Sequence, residues 1–251
     1  MSPYIWRAPT DNDRRVKRKW TEVLYDKASP ECYGTSVSVS DGEIEVSCRI
    51  ALSAPSREPF LKGTVVYKFT SSGLSVSADM EKGEGLPPLP RFGFRFTMPE
   101  GAENIRYFGY GPYESYEDKR LASRISLFRT TATENFEHYV RPQENCAHYG
   151  CRWADVTLTY GQGLHFSADS FSLSASHFTP ECLTETAHDY ELTPDRETTV
   201  IVDYRNAGIG SHSCGPELAP KYRISERKIN FTFNIKPCFT GNVSPFDVSV
   251  K

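Results

Sequence analysis

Apolar residues alternate with polar ones along most of this chain. Val37 and Val39 begin the pattern, and Ile44, Val46, Cys48, Ile50 and Leu52 carry it across a full strand length. It returns at Leu74, Val76, Ala78 and Met80, at Phe92, Phe94 and Phe96, at Ile125 and Leu127, and at Val156 and Leu158. Leu164 and Phe166, then Phe171, Leu173 and Ala175, then Val200, Val202 and Tyr204 continue it, and Ile229, Phe231, Phe233 and Ile235 close it. A period of two places one set of side chains on one face of a strand, so these runs predict half-buried antiparallel strands with one polar face. Turn signals separate them: Ser40-Asp41-Gly42, Ser71-Ser72-Gly73, Gly161-Gln162-Gly163 and Thr193-Pro194-Asp195. A single short helix is predicted over 17–27, with Trp20, Val23 and Leu24 on one side, broken over 28–33. The proline-rich stretch 83–90 cannot be regular structure and is expected as a surface connection. The expectation is an all-β chain: one antiparallel sandwich of a dozen or more strands over 1–237, followed by a tail over 238–251 that is loose or lies on the surface.

Composition narrows the class. The 251 residues carry a formal charge of -3, too close to neutral to leave an electrostatic footprint for nucleic acid or an anionic membrane. A folded chain of this length can bury roughly 70–75% of its unfolded surface, enough for one large core. The basic run Arg14-Arg15-Val16-Lys17-Arg18-Lys19 is flanked by Asp11, Asp13, Glu22 and Asp26 and reads as a solvated face. Nothing approaches the ~20 apolar residues of a membrane helix, and no signal-peptide pattern opens the chain. Seven scattered cysteines read as reduced, cytoplasmic usage. Cys146, His148 and Cys151 have metal-like spacing, but a fourth ligand would require His212 and Cys214 to fold beside them, so no metal site is assigned.

Polar chemistry concentrates outside the strands. Near the N-terminus stands Trp6-Arg7-Ala8-Pro9-Thr10-Asp11-Asn12-Asp13. Leu89-Pro90-Arg91-Phe92-Gly93-Phe94 follows, then Tyr107-Phe108-Gly109-Tyr110-Gly111-Pro112-Tyr113-Glu114-Ser115-Tyr116-Glu117-Asp118. Tyr139-Val140-Arg141-Pro142-Gln143-Glu144-Asn145 and Gly208-Ile209-Gly210-Ser211-His212-Ser213-Cys214-Gly215-Pro216 complete the set. Loops that mix Gly or Pro with aromatic and charged residues are structural pins or site walls. In this order, these five segments resemble the C-terminal, small-chain domain of bacterial β-galactosidases of glycoside hydrolase family 2, over about residues 3–237.

The resemblance implies a large antiparallel supersandwich similar to the galactose mutarotase fold. It also implies that further strands of the domain precede the Trp6 segment, so the sandwich should expose an unpaired edge that invites self-association. In that family the catalytic glutamates lie in a separate barrel, so this chain is expected to carry no catalytic residue. Its role would be to complete and brace the pocket of the barrel-containing portion, which hydrolyses terminal β-galactosides. The full enzymes often use Mg or Na ions, bound largely elsewhere. His212, Ser213 and Cys214 would lie near the substrate, although the loop lacks the tryptophan that stacks on sugar in some members. Trp6, Arg7, Asp11, Asn12 and Asp13 would either stand near the pocket or brace the interface. Glu144 and Asn145 look like a similar brace, and Glu114 reads as a loop pin bonded to backbone rather than as half of a catalytic pair. Two other classes stay open: a free-standing carbohydrate-binding module, suggested by the tyrosine-rich loop, and a sugar 1-epimerase in which His165 or His177 pairs with Glu185.

Overall fold

The alternating runs fold as strands that join edge to edge. The computed structural model describes residues 1–211 and 217–240. Among these are twelve strands. They are β1 (Ser2–Tyr4), β2 (Ser29–Ser40), β3 (Glu43–Ser53), β4 (Leu61–Thr70), β5 (Gly73–Lys82), β6 (Arg91–Met98), β7 (Asn104–Gly111), β8 (Arg124–Thr131), β9 (His148–Thr157), β10 (Gln162–Ser176), β11 (Thr198–Asn206) and β12 (Lys228–Phe239). Helices α1 (Val16–Glu22) and α2 (Pro180–Glu185) are short. Every strand pairing is antiparallel, along the path β1-β6-β11-β10-β12-β5-β4-β3-β2, with β9, β7 and β8 branching from β10.

Strand β10 is the trunk. Its first half pairs with β12 and its second half with β11, while β9 follows its opposite edge. Irregular register between Ser167 and Phe171 separates the two halves, where a bulge bends the strand. The sheet folds back on itself, because Phe94 and Phe96 of β6 meet Phe233 of β12 at centroid distances of 5.3 and 6.3 Å although those strands are not paired. This aromatic contact between layers is the middle of the core, and Phe92, Phe94, Phe166 and Phe233 are fully buried. Fully burying such a side chain is worth about 1.5–3 kcal/mol. Between β2 and β3, Asp41 and Gly42 both take positive φ, at 51° and 78°, as a two-residue hairpin turn requires.

Several local expectations are corrected. Helix α1 stops at Glu22, short of residue 27. Leu24 adopts φ 65°, outside the helical region, and a 3-10 turn over Tyr25–Lys27 follows. Strand β2 then begins within the stretch expected to be only a break. Residues 83–90 are irregular as expected, yet Leu89 and Pro90 are buried rather than superficial. Prolines bring no N–H to satisfy, and the carbonyls of Pro87 and Pro88 accept from the Tyr25 hydroxyl at 2.9 Å and the Trp20 indole at 2.8 Å. Strand β12 continues through Pro237 to Phe239, paired with β10. Its pairing with β5 ends at Ile235, so Pro237 removes no ladder bond on that side. Finally, Val37 and Val39 alternate as a half-buried strand should, but are 63% and 71% exposed.

Candidate functional site

Two arginines in the polar segments are buried, Arg7 at 0% exposure and Arg91 at 1%. Arg91, at the start of β6, donates through Nε and a terminal nitrogen to Asp203 of β11 at 3.1 and 2.5 Å. Its other terminal nitrogen lies 3.3 Å from both oxygens of Glu144, and Ser174 of β10 accepts at 3.2 Å. Glu144 also accepts from the Asn206 amide at 2.8 Å. The Asn206 carbonyl oxygen in turn accepts from Arg7 at 3.0 Å, and Arg7 donates to Asp13 at 2.8 Å. Two guanidinium groups therefore share a buried cluster with three carboxylates, Asp13, Glu144 and Asp203. Burial raises the Asp203 carboxyl to about 6, against the pull of Arg91 beside it. For Arg91 burial opposes the charge, but Asp203 and Glu144 outweigh it and hold the group protonated.

The second half of the site is a grip on backbone. Arg7 donates to the carbonyls of Ala207 and of Gly208, the latter at 3.2 Å. Asn12 donates to the carbonyl of Ile209 at 2.6 Å. From the other side, Asp118 accepts from the amides of Ile209, Gly210 and Ser211 at 2.9, 3.0 and 2.7 Å. Three consecutive amides on one carboxylate form charge-assisted bonds, stronger than neutral ones. Gly208 makes this approach feasible: a Cβ there would stand 2.5 Å from an Asp118 oxygen. Every peptide unit from 207 to 211 is thus held by a side chain from the first or the third polar segment.

The remaining candidate residues surround this grip. Trp6 is 3% exposed, donates to the Thr184 hydroxyl at 3.1 Å and packs edge-on against Trp20 at 6.2 Å. Asp13 accepts from the Thr10 amide at 2.9 Å, which closes the turn over Asp11–Asp13. Asp11 is exposed, and its amide donates to Gln143 at 3.1 Å. Glu114 accepts from Lys119, from the Tyr139 hydroxyl at 2.6 Å and from the Cys146 amide at 3.2 Å. Asn145 bridges the Gln143 carbonyl at 2.9 Å and the Glu137 amide at 3.3 Å. His212, Ser213 and Cys214 lie outside the described residues. Sequence reasoning missed Arg91, Asp203, Asn206 and Asp118 as members of the cluster. The usable signal was the pairing of Arg91 and Asp118 with glycine two residues or one motif away, where a bare backbone admits a carboxylate.

The histidine pairings proposed for an epimerase do not form. His165 Nδ1 stands 2.7 Å from Asp155, its cross-strand partner on β9, and His177 Nε2 stands 2.6 Å from Glu103. Glu185, at the end of α2, is partner to neither in these contacts. His148 stacks on Tyr107 at 4.0 Å and meets Asn135 at 2.8 Å, and the Cys151 thiol faces the His148 carbonyl at 3.3 Å. Burial lowers His148 to about 3, so the ring is neutral at physiological pH. Among the described residues no group of three or more His, Cys, Asp or Glu is arranged to hold a metal ion, and no helix is long and apolar enough to cross a membrane.

A family model described as "Beta galactosidase small chain" matches residues 1–235. A β-galactosidase from Staphylococcus xylosus is 37% identical over 233 residues, 92% of this chain and 23% of that protein. One from Actinobacillus pleuropneumoniae is 39% identical with the same coverage, 92% and 23%. The chain therefore spans about a quarter of the length of these relatives. Among solved structures, a galactose mutarotase-like protein from Lactobacillus casei is similar over 82% of this chain and 73% of that one, at 10% identity and a TM-score of 0.42.

Proposed function

This chain belongs to the β-galactosidase small-chain family, and from that premise we propose that it serves a β-galactosidase of the glycoside hydrolase family 2 type in the cytoplasm. It supplies no catalytic carboxylate. It completes and braces the pocket of a separate barrel-containing portion that hydrolyses terminal β-galactosides. The observation that carries this reading is the grip of Arg7, Asn12 and Asp118 on residues 207–211. That grip fixes residues 207–211, which lead in sequence directly to His212, Ser213 and Cys214. A side chain that must meet a substrate bound by another domain needs a rigid base, since a misplacement of about 1 Å can cost about 10²-fold in rate. Arg7, Asn12, Asp13, Glu144 and Asn145 act as braces, Trp6 secures their segment to α2, Asp11 secures it to Gln143, and Glu114 pins the third segment to the fourth.

Retaining glycoside hydrolysis uses two carboxyl groups about 5–5.5 Å apart across the scissile bond. Here the carboxylates of the site are engaged with arginine, lysine, tyrosine or backbone amides, which suits holding rather than proton transfer. The test mixes this chain with the barrel-containing portion of the same β-galactosidase and follows hydrolysis of a chromogenic β-galactoside. The mixture is expected to be active and each part alone inactive. Full activity of the barrel-containing portion alone, or saturable galactose binding by this chain alone, would overturn the reading. His212→Ala in the same mixture is expected to raise KM while leaving assembly intact.

A further inference from the structure

The basic run at 14–19 is more than a solvated face. Arg14, Arg15 and Lys19 line a cavity of about 60 Å3 together with Arg7 and Arg223. Five cations therefore face one space. Two carboxylates line it as well, Asp13 and Glu217, and both are already engaged. Asp13 pairs with Arg7 at 2.8 Å, and Glu217 is shared by Lys19 at 2.8 Å and Arg223 at 3.3 Å. The side chains of Arg14 and Arg15 are exposed and make no hydrogen bond or ion pair among the described residues. The cavity thus holds an excess of positive charge with two guanidinium groups to spare.

One buried donor there is also unanswered. Arg7 is 0% exposed, and its terminal nitrogens serve Asn206, Asp13 and the carbonyls of Ala207 and Gly208. Its Nε–H is buried and has no acceptor. A buried charged donor without a partner is costly, and an acceptor atom entering the cavity would answer it. Trp20, Leu89 and Leu218 supply apolar wall, and the Arg7 guanidinium stands 5.4 Å over the Trp20 ring. Such walls strengthen a charged contact by keeping water away. Size limits the occupant. A water-sized atom needs about 10–15 Å3 of cavity, so roughly four to six such atoms fit. That admits one sulfate, phosphate or carboxylate group and excludes a pyranose ring.

We propose that this cavity binds a single oxyanion group, which accepts from Arg7 Nε–H inside it and from Arg14 and Arg15 at its mouth. Guanidinium forks match the paired oxygens of such groups and stay charged at any working pH. The position gives occupancy a consequence. Ala207 lines one part of the wall and Glu217 and Leu218 another. These residues stand on either side, in sequence, of the stretch that carries His212, Ser213 and Cys214. An oxyanion in the cavity therefore acts on both ends of that stretch, whether it is a substituent of a galactoside or a free ion.

Calorimetric titration of this chain with inorganic phosphate at low ionic strength tests the site. Saturable binding is expected with a Kd of about 1 mM or lower, weakening as NaCl is raised. The Arg7 Nε–H resonance in NMR spectra is expected to move along the same isotherm. Arg14→Gln combined with Arg15→Gln is expected to leave the unfolding midpoint unchanged, because both side chains are exposed and unpaired. It is expected to weaken phosphate binding by about 10-fold or more, the loss that follows from removing a bond to a charged group. No saturation below about 10 mM, equal affinity in the double variant, or an unmoved Arg7 resonance would overturn the proposal. Titration of this chain alone does not depend on the functional reading above. The source of the group is read in the mixture with the barrel-containing portion, and only this second comparison rests on that reading. Competition by phosphate against a sulfate-bearing β-galactoside, with a neutral one unaffected, would place the oxyanion on the substrate. Any other pattern in an active mixture would make it a free ion, and an inactive mixture would overturn the functional reading without touching the site.

Discussion

Arg91→Met tests whether the buried cluster is what fixes the site. The side chain is 1% exposed and is shared among Asp203, Glu144 and Ser174. Methionine fills much of the volume but donates nothing. Asp203 and Glu144, 0% and 3% exposed, then face one another with no cation between them. Breaking a buried ion pair by removing one partner costs about 3–5 kcal/mol, and because two carboxylates lose the same partner the upper half of that range is expected. The loss has a pH signature. In the wild type, burial holds Asp203 at about 6. Without Arg91 its pKa rises further, so the folded variant binds a proton above pH 6 where the folded wild type does not. The unfolded chain, with an aspartate pKa near 3.9, binds none there. The variant's stability must therefore fall as pH rises beyond 6, by up to about 1.4 kcal/mol per unit, while the wild type gains no such slope from this group. Urea unfolding at pH 6 and pH 8, followed by tryptophan fluorescence, measures both effects, since Trp6, Trp20 and Trp153 are all buried. Adding Asp203→Asn to Arg91→Met is expected to restore part of the loss and flatten its pH dependence. A deficit below about 1 kcal/mol at pH 8, or one equal at both pH values, would refute the assignment of a buried, mutually dependent charge cluster.

Asp118→Ala removes the acceptor of three amides; it should speed amide exchange at 209–211 and cost about 2 kcal/mol, since bonds to a charged group are worth about 1.5–3 kcal/mol and Gly210 is already exposed. Unchanged exchange there would remove Asp118 from the grip. Gly208→Ala places a Cβ 2.5 Å from the Asp118 carboxylate, whereas at Gly210 the nearest atom is 3.1 Å away, so thermal unfolding should show the first substitution clearly more damaging than the second. His148 is lowered to about 3 by burial; the unfolded chain takes up its proton near pH 6.5, so this group's stabilisation is full above that value and is lost as pH falls towards 3. His148→Gln is expected to lose less stability than the wild type between pH 6.5 and 5, by about 2 kcal/mol from the linkage slope. Asp203 acts in the opposite sense between about 4 and 6 in both proteins, so the difference between them isolates His148, and equal slopes would contradict its burial as a neutral ring.

The strands were legible because their signal is local. Alternation in β3, β5, β6 and β12 lies on residues that the sheet half-buries, and the Asp41-Gly42 hairpin needs only its own φ angles. What failed depended on cover from distant elements. Val37, Val39 and Ile44 carry the same alternation as Val76 and Phe233, but only the latter lie beneath β6. Nothing within β2 records whether a second layer reaches it. The stretch 83–90 is a surface connection at Glu84 and Gly85, but Leu89 and Pro90 are buried, and the carbonyls of Pro87 and Pro88 are satisfied by Tyr25 and Trp20, more than sixty residues earlier in the chain.

The site was legible as segments and opaque as a network. Arg7, Asn12, Asp13 and Glu144 stood out because charged residues crowd there beside prolines and aromatics. Asp203 did not, since in the run Val200, Val202, Tyr204 it occupies the polar phase and reads as solvent-facing, whereas both faces of β11 around it are covered. Its burial is tolerable only because Arg91, more than a hundred residues away in sequence, arrives opposite it. The same dependence explains why the five segments resemble a family signature as a set. Arg91 needs Glu144 and Asp203, Arg7 needs Asp13 and the 207–208 carbonyls, and Asp118 needs a glycine at 208. A change in any one segment strands a buried charge in another, at a cost of several kcal/mol against a total stability of about 5–15 kcal/mol. The segments are therefore tied to one another by buried ion pairs and charge-assisted hydrogen bonds.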